Sequence, residues 1–211
     1  MADRYNLSFT ASSLRPELAR IVAEAYLACR DWELAKMRIL EGNALQSRTA
    51  SSGIRMEREL RQRVRTLTLP QIEILASAPS DSRAAIAWLS MLKSSGFVFD
   101  FTSEVLRSKL EALDPVLRPS DYETFCTVKS AAHPELLAIK PATQAKVRRV
   151  LLTMLREAGI LAKSPNDNRL MRPVIPHDAL NAIIADDRRW LAGFLVPDTE
   201  ISSIRGPYHG F

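Results

Sequence analysis

The sequence predicts an all-α protein: a helical bundle in two packed subdomains, with a small β-hairpin wing in the second subdomain. Apolar residues recur at helical spacing through most of the 211 residues. Proline, glycine and serine divide these stretches by short connections. Towards the C-terminus, two helical patterns precede two short apolar runs around a polar turn, which is the element order of a winged helix-turn-helix.

The two subdomains are predicted to meet near residue 119, where Asp114-Pro115 and Arg118-Pro119 interrupt the helical pattern. Residues 1–119 form the N-terminal helical subdomain, which contains an arginine-rich helix. Residues 120–211 form the C-terminal winged-helix-like subdomain and a Pro/Gly-rich tail. The chain shows neither an internal repeat nor a low-complexity segment.

In the N-terminal subdomain, the first helix is predicted to begin near Leu14, with Ser12 or Ser13 as its N-cap and Pro16 in its first turn. Hydroxyl side chains in residues 46–53 are placed to cap the arginine-rich helix that follows. Further helices are predicted over Trp32–Leu40, Ile54–Leu67, Leu69–Ser77, Ser82–Lys93 and Ser103–Leu113.

Two stretches of this subdomain are predicted to lie inside the core. Ser82–Lys93 is apolar on most sides, so it is the predicted central buried helix. After Gly96, three phenylalanines alternate with other residues: Phe97, Phe99 and Phe101. This alternation fits either a short extended segment or an aromatic plug.

The C-terminal subdomain begins with Ser120-Asp121-Tyr122-Glu123, which resembles a capping sequence before a helix to about Ser130. His133-Pro134 breaks that helix, and a short helix over Pro134–Ile139 leads into a long one. The remaining predicted elements are a helix over Thr143–Ala158 that stops at Gly159, hairpin strands at Ile160–Ala162 and Leu170–Ile175 around the turn Ser164–Asn168, and a last helix from Asp178 to Ile184.

Two helices carry a basic face opposite an apolar one. In Ile54–Leu67, Arg58, Arg61 and Arg65 fall within about 60° of one another on the helical wheel. The opposite stripe consists of Met56, Leu60, Val64 and Leu67. In Thr143–Ala158, one face is apolar and the other carries Lys146, Arg149, Thr153 and Arg156 within about 80°. Such helices dock by one face and offer cations on the other, which favours a phosphate backbone as ligand.

The distribution of charge strengthens this interpretation. Net charge is +5, and Lys+Arg outnumber Asp+Glu by 12 to 8 in residues 1–70 and by 8 to 2 in residues 140–172, whereas the other segments are acidic. The candidate nucleic-acid-binding residues are Arg48, Arg55, Arg58, Arg61, Arg65, Lys146, Arg149, Thr153, Arg156 and the wing cations Lys163, Arg169 and Arg172. A solvated face remains the alternative for each helix taken alone. Only Gln144 is an amide on the second helix, so contact with backbone phosphates is favoured over base readout.

The sequence carries no enzyme signature, so no catalytic residue, metal site or cofactor is predicted. The histidines, at 133, 177 and 209, are far apart in Pro- or Gly-rich contexts. Cys29 and Cys126 lie in apolar helical patterns, which is typical of buried thiols in a reducing compartment. No apolar run approaches the length that spans a bilayer, so we expect a cytoplasmic protein without membrane contact.

Several motifs together resemble the BrxA family of BREX phage-exclusion systems. They are Tyr5-Asn6-Leu7-Ser8-Phe9-Thr10-Ala11, Gln46-Ser47-Arg48-Thr49-Ala50-Ser51, His133-Pro134-Glu135-Leu136 and the run from Val147 to Leu161. The resemblance covers most of residues 5–175 in order and spacing. None of these motifs is catalytic, so the match depends on their combination.

The resemblance implies a mostly helical, bacterial, cytoplasmic protein that serves a phage-defence system and has no catalytic residues. It also implies a likeness to the antitermination factor NusB, an RNA binder. We therefore expect a non-enzymatic accessory protein that binds double-stranded DNA mainly through its phosphates. The alternatives are a NusB-like RNA-binding factor and an adaptor that binds other BREX proteins.

Overall fold

Helices account for most of the residues that the computed structural model describes, which are residues 4–204. The Pro/Gly-rich tail from residue 205 onwards, and His209 with it, lies outside the described residues. The α-helices are α1 (Pro16–Cys29), α2 (Trp32–Glu41), α3 (Ala50–Val64), α4 (Leu69–Ser77), α5 (Ser80–Ser94), α6 (Gly96–Asp100), α7 (Arg107–Glu111), α8 (Pro119–Ser130), α9 (Pro141–Glu157), α10 (His177–Asp186) and α11 (Asp198–Ser203). The all-α prediction is confirmed by this order.

Helix α5 is the predicted central buried helix, and its burial is confirmed. Trp88 is fully buried, and its indole N–H donates a hydrogen bond to the carbonyl of Gly193 at 2.9 Å. A Cβ on Gly193 would lie 2.5 Å from a methyl carbon of Leu92, so only glycine lets the 3₁₀ turn at Arg188–Phe194 approach α5 this closely. The turn at Arg188–Phe194 is thereby packed against the N-terminal half.

The alternating phenylalanines are helical, so the extended alternative is wrong. They span α6 and a π-helical turn at Phe101–Leu106 that continues into α7. Phe97 and Phe101 are four residues apart, so both fall on the buried side, where each packs edge-on against Phe125 at centroid distances of 5.4 and 5.2 Å. The aromatic plug is thus present, because a spacing of four also satisfies helical periodicity.

The predicted β-hairpin wing is wrong: no strand forms within residues 4–204. The polar turn is present around Ser164–Asn168, but the chain after it makes only two isolated antiparallel bridges. One joins Leu170 to Leu161, and the other joins Arg169 to Val116. The region is therefore an irregular loop packed against the bundle, and the C-terminal part is not a winged helix.

The wing does not form because residues 168–171 bond to two short segments, residues 115–117 and residues 160–162. The Met171 N–H donates to the Ile160 carbonyl at 2.8 Å, whereas the Leu170 N–H donates to the Pro115 carbonyl at 2.6 Å. A central strand also bonds to both sides, but here each neighbouring segment is short, since α9 ends at Glu157 and α8 begins at Pro119, so each pairing stays at one bridge. Pro173 has no N–H to donate, which prevents further pairing beyond Met171.

Residues 5–15, named here the strap, cross the outside of the bundle and connect its two halves. At one end, the Tyr5 N–H donates to Glu135 at 2.6 Å, and the Tyr5 hydroxyl donates to Asp100 at 2.5 Å. The Tyr5 ring stacks on buried His133 with centroids 3.6 Å apart. Burial and the bond to Asp100 raise the pKa of the Tyr5 phenol, so the hydroxyl stays protonated and donates.

At its other end, the strap is attached to α9. The Ser13 hydroxyl and the Leu14 N–H both donate to the Glu157 carboxylate, at 2.8 and 2.6 Å. The predicted capping of α1 by Ser12 or Ser13 is therefore wrong, because the hydroxyl of Ser13 is used by α9. Helix α1 begins instead at Pro16, after Arg15 in the left-handed region.

Packing crosses the predicted boundary at residue 119 in more places than the strap. Lys93 of α5 forms an ion pair with Asp186 of α10 at 2.8 Å, and Gln71 of α4 donates to the carbonyl of Ala182 at 2.9 Å. The buried apolar residues form one cluster drawn from both halves. The division at residue 119 stays a prediction.

The predicted capping of the arginine-rich helix is confirmed. The Thr49 hydroxyl oxygen accepts a hydrogen bond from the Ser52 N–H at 3.2 Å, and the Ser52 side chain faces the Thr49 N–H at 3.4 Å. This reciprocal arrangement satisfies two N–H groups at the start of α3.

We expect Thr49→Ala to lower the free energy of unfolding by about 1 kcal/mol, because the first turn of α3 loses its cap. Urea denaturation followed by circular dichroism measures this. The neighbouring Ser51→Ala, which leaves the Thr49–Ser52 pair in place, is the control and should change stability by less than about 0.5 kcal/mol. Equal effects of the two changes would contradict the role assigned to Thr49.

Candidate nucleic-acid interface

The outer side of α3 carries exposed arginines that form what we name the α3 basic arc: Arg55, Arg58 and Arg65. They lie within about 80° on the helical wheel. Neither Arg55 nor Arg58 has a carboxylate partner among residues 4–204. The Arg65 guanidinium lies over the Trp32 ring, 5.9 Å from its centroid, and Trp32 itself stacks on Tyr26. These contacts hold one cation of the arc by cation–π attraction while leaving it exposed.

Arg61 does not share the exposure predicted for it. Its side chain is buried, and its Nε donates to Glu57 at 2.7 Å. A second nitrogen lies 3.6 Å from Glu33 on α2. The exposure was predicted wrongly because Arg61 lies on the side of α3 that faces α2. Its guanidinium contacts Glu57 of α3 and Glu33 of α2 there.

Arg63 is the arginine of α3 that sequence reasoning missed. It is buried, pairs with Glu59 one turn earlier, and donates to the carbonyls of Ser12 and Ser13 at 2.9 and 2.8 Å. Glu59 in turn accepts from the Ala11 N–H at 2.9 Å. The spacing of four between Glu59 and Arg63 was the available signal for an ion pair, but nothing local indicated that the strap would cover it.

Burial sets the pKa values of this pair in opposite directions. It lowers the pKa of Arg63, against the attraction of Glu59 and Glu157, and it raises the pKa of Glu59, against the attraction of Arg63. Since an arginine starts from a very high pKa, Arg63 keeps its charge beside Glu59. The pair therefore anchors the strap and is not available to a ligand.

On α9, the exposed side chains Lys146, Arg149 and Thr153 form what we name the α9 basic arc. Lys146 and Arg149 have no ion-pair partner within residues 4–204. The Thr153 hydroxyl donates to the carbonyl of Arg149 at 3.0 Å, so it is satisfied by its own helix. The apolar face is buried as predicted, with Val147, Leu151, Met154 and Leu155 in the core.

Arg156, the fourth member predicted for this face, is used internally. Its guanidinium donates to the Pro165 carbonyl and to Asn168, both at 3.1 Å. Arg156 therefore holds the loop that replaces the wing against the end of α9.

The cations predicted on the wing lie on that loop or just beyond it. Lys163 and Arg169 are exposed. Arg172 pairs with Glu200 of α11, with both carboxylate oxygens 3.0 Å from one guanidinium nitrogen. The loop places two of the three predicted cations in solvent beside α9 and engages the third in an ion pair.

The strap connects the two helices that carry the basic arcs. On α3, Arg55 and Arg58 line a polar cleft of about 310 Å³ whose other wall includes Asn6 and Ser8. On α9, the strap is bonded to Glu157, at the C-terminal end of the helix and about three turns beyond Lys146. The strap therefore runs beside the α3 basic arc and is bonded to the helix that carries the α9 basic arc.

Arg48 lies apart from both arcs. It is exposed in the connection between α2 and α3, on the rim of a different cleft lined mainly by apolar residues. Its surroundings are therefore distinct from those of the other candidate cations.

Among residues 4–204, no three histidine, cysteine or acidic side chains converge as metal ligands would. None of the described helices combines the length and the apolar composition that crossing a bilayer requires.

Comparison with known proteins identifies relatives. A family model described as BrxA matches residues 3–187. A protein from Escherichia coli O9:H4 (strain HS), named BREX protein BrxA, is 24% identical over 67% of this chain and 66% of its own length. A protein of the same name from Bacillus cereus (strain H3081.97) is 24% identical over 74% of this chain and 78% of its own.

A solved structure shares the fold. It is the crystal structure of an uncharacterized protein from Magnetospirillum magneticum, which superimposes with a TM-score of 0.79 at 18% identity over 92% of this chain and 98% of that one. The family match spans residues 3–187, which include the strap, α3 and α9. The chain therefore belongs to the BrxA family.

Proposed function

We propose that this protein is a non-enzymatic accessory component of a BREX-type phage-defence system, acts in the cytoplasm, and binds duplex DNA through backbone phosphates. The contacts are assigned to the α3 basic arc, the α9 basic arc, and Lys163 and Arg169 on the adjacent loop. Membership in the BrxA family supports the place of the protein in such a system.

The observation that supports the DNA proposal is that two helices tied to the same strap each expose a basic arc. Cations that project from rigid helices are ordered before binding, so they contact phosphates at a low entropic cost. Arg55, Arg58, Lys146 and Arg149 are exposed and have no carboxylate partner within residues 4–204, so a phosphate does not compete with an existing ion pair. A duplex offers phosphates on two strands, which suits a protein with two basic arcs on different helices.

We expect the paired changes Arg58→Glu with Arg65→Glu, and Lys146→Glu with Arg149→Glu, each to weaken duplex binding by about tenfold or more. The plot of log K against log salt has a negative slope, and each phosphate contact that is removed reduces the magnitude of that slope by about one. Each pair of changes should therefore reduce it by about two. Fluorescence anisotropy with a labelled duplex at several salt concentrations measures both quantities.

The control is Arg189→Glu, an exposed arginine on the 3₁₀ turn after α10, which pairs with Asp187 and lies in an acidic part of the chain. It should leave affinity and slope unchanged. Binding that is independent of salt, or that Arg189→Glu weakens as much as the paired changes, would refute the proposed surface. Preferential binding of structured RNA over duplex DNA of equal length would assign the surface to RNA instead.

A further inference from the structure

A groove between α2 and α3 lies outside the surface proposed for DNA. It has a volume of about 390 Å³ and is open to solvent beside the first turns of α3. Its floor contains Ile39 and Leu45, which are buried, and Leu40 and Ile54 form its apolar walls. Arg48 and Thr49 stand on its rim.

The apolar surface continues from the groove along the outside of α2. Met37 and Leu34 lie one and two turns before Leu40, and their exposed fractions are 50% and 52%. Ile54, on the facing wall, is 51% exposed. A single half-exposed apolar side chain is ordinary on a protein surface. A run of them that leads into a groove is typical of a site that binds another chain.

The spacing of this run fits a helix as the bound element. Residues 34, 37 and 40 advance by three, so they form a track along α2 rather than an isolated spot. An amphipathic helix that lies in such a groove inserts apolar anchors at i, i+3 or i+4, and i+7. The groove between α2 and α3 provides the depth for one anchor, and Met37 and Leu34 provide the surface for the next.

The charges around the groove select the partner. Arg48 is the one formal charge among the described residues of the lining, and no carboxylate lines it. Arg38 is exposed beside Leu34 on α2, whereas Glu33 is already paired with Lys36 at 2.9 Å. The start of α3 adds the positive end of a helix dipole. Arg38 and Glu41 both lie outside the lining and offset each other, so the preference for an acidic partner depends on Arg48.

A second open groove, between α7 and α8, differs from the α2–α3 groove in the charges on its rim. Its rim carries Lys109 and Lys129, but both are already paired, with Asp121 at 3.0 Å and Glu104 at 2.6 Å. That rim has no uncompensated charge to choose a partner. The α2–α3 groove has an uncompensated arginine.

We propose that the α2–α3 groove binds an amphipathic helix of a partner protein, with apolar anchors in the groove and acidic residues facing Arg48. The lining of the groove contains no member of either basic arc, although Ile54 lies one turn before Arg58 on α3. The protein would thus bind a polyanion and a partner protein through adjoining surfaces.

The test uses the full chain and a fluorescein-labelled helical peptide with leucines at i, i+3, i+7 and glutamates on its other faces, followed by fluorescence polarisation. A matched peptide has lysine in place of every glutamate, and a second has serine in place of every leucine. We expect saturable binding of the acidic peptide, with little binding of the other two. The double change Met37→Ser with Ile54→Ser should weaken that binding at least tenfold.

The control is Val128→Ser, which removes an exposed apolar side chain from α8 and should leave peptide binding unchanged. Circular dichroism and the retained affinity for duplex DNA show that the double variant is folded. Equal binding of the lysine peptide, or equal loss with Val128→Ser, would overturn the proposal. So would a dimer, detected by sedimentation, that the double change dissociates, because the groove would then be occupied by a second copy of this chain.

Discussion

Replacing Arg63 with methionine is expected to lower the free energy of unfolding by about 3–5 kcal/mol, because it leaves the buried carboxylate of Glu59 without its partner. The same change removes the donors to the carbonyls of Ser12 and Ser13. Methionine fills much of the volume of the arginine stem, so the loss is assigned to the charge and the hydrogen bonds rather than to a cavity. Urea denaturation followed by circular dichroism measures the change.

The matched control is Arg58→Met on the same helix. Arg58 is exposed and has no carboxylate partner within residues 4–204, so its replacement should change stability by less than about 0.5 kcal/mol. The double change Glu59→Met with Arg63→Met should recover part of the loss, because it removes the unpaired carboxylate as well. Similar losses for Arg63→Met and Arg58→Met would mean that the strap is not anchored by this pair.

Trp88→Ala is expected to lower the free energy of unfolding by about 3–5 kcal/mol, because it removes the largest fully buried side chain of the core and leaves a cavity. The Gly193 carbonyl loses its donor at the same time. Trp88→Phe separates the two contributions, because it keeps an aromatic ring but removes the N–H. It should cost about 1–3 kcal/mol, the penalty of an unsatisfied buried carbonyl.

The comparison for this second change is Trp190→Ala. Trp190 is half-buried, packs against Phe99 and is covered on one side by Arg189. Its replacement should cost clearly less than that of Trp88 in the same denaturation experiment. If the two tryptophans proved equivalent, α5 would not be the centre of the core.

The sequence was sufficient to predict features that depend on local periodicity. The apolar stripes of α3 and α9, the burial of α5 and the capping of α3 by Thr49 follow from residues within a few turns of each other. Family membership was also predictable, because it depends on motifs in the chain itself. These predictions did not require knowledge of which helices pack together.

The wrong predictions depend on partners that are distant in the chain. The exposure of Arg61 depends in part on Glu33, and the interrupted wing depends on the Pro115 carbonyl. The turn at Ser164–Asn168 was recognised correctly, but a turn alone does not decide which backbone groups will pair beside it. For the same reason, the internal use of Arg156 and Arg172 could not be read from their positions on a helix face or a loop.

The strap also has a consequence for the order in which the protein folds on the ribosome. Residue 5 bonds to residue 135, and residue 14 bonds to residue 157, so the partners are separated by 130 and 143 positions. At about 5–20 residues per second, the first end of the strap is synthesised on the order of ten seconds before the last of α9. Contacts of such separation form late, so closure of the strap belongs to the end of folding. Until then α3 and α9 lack the link that the strap provides between them, so the two helices are tied together only in the completed protein.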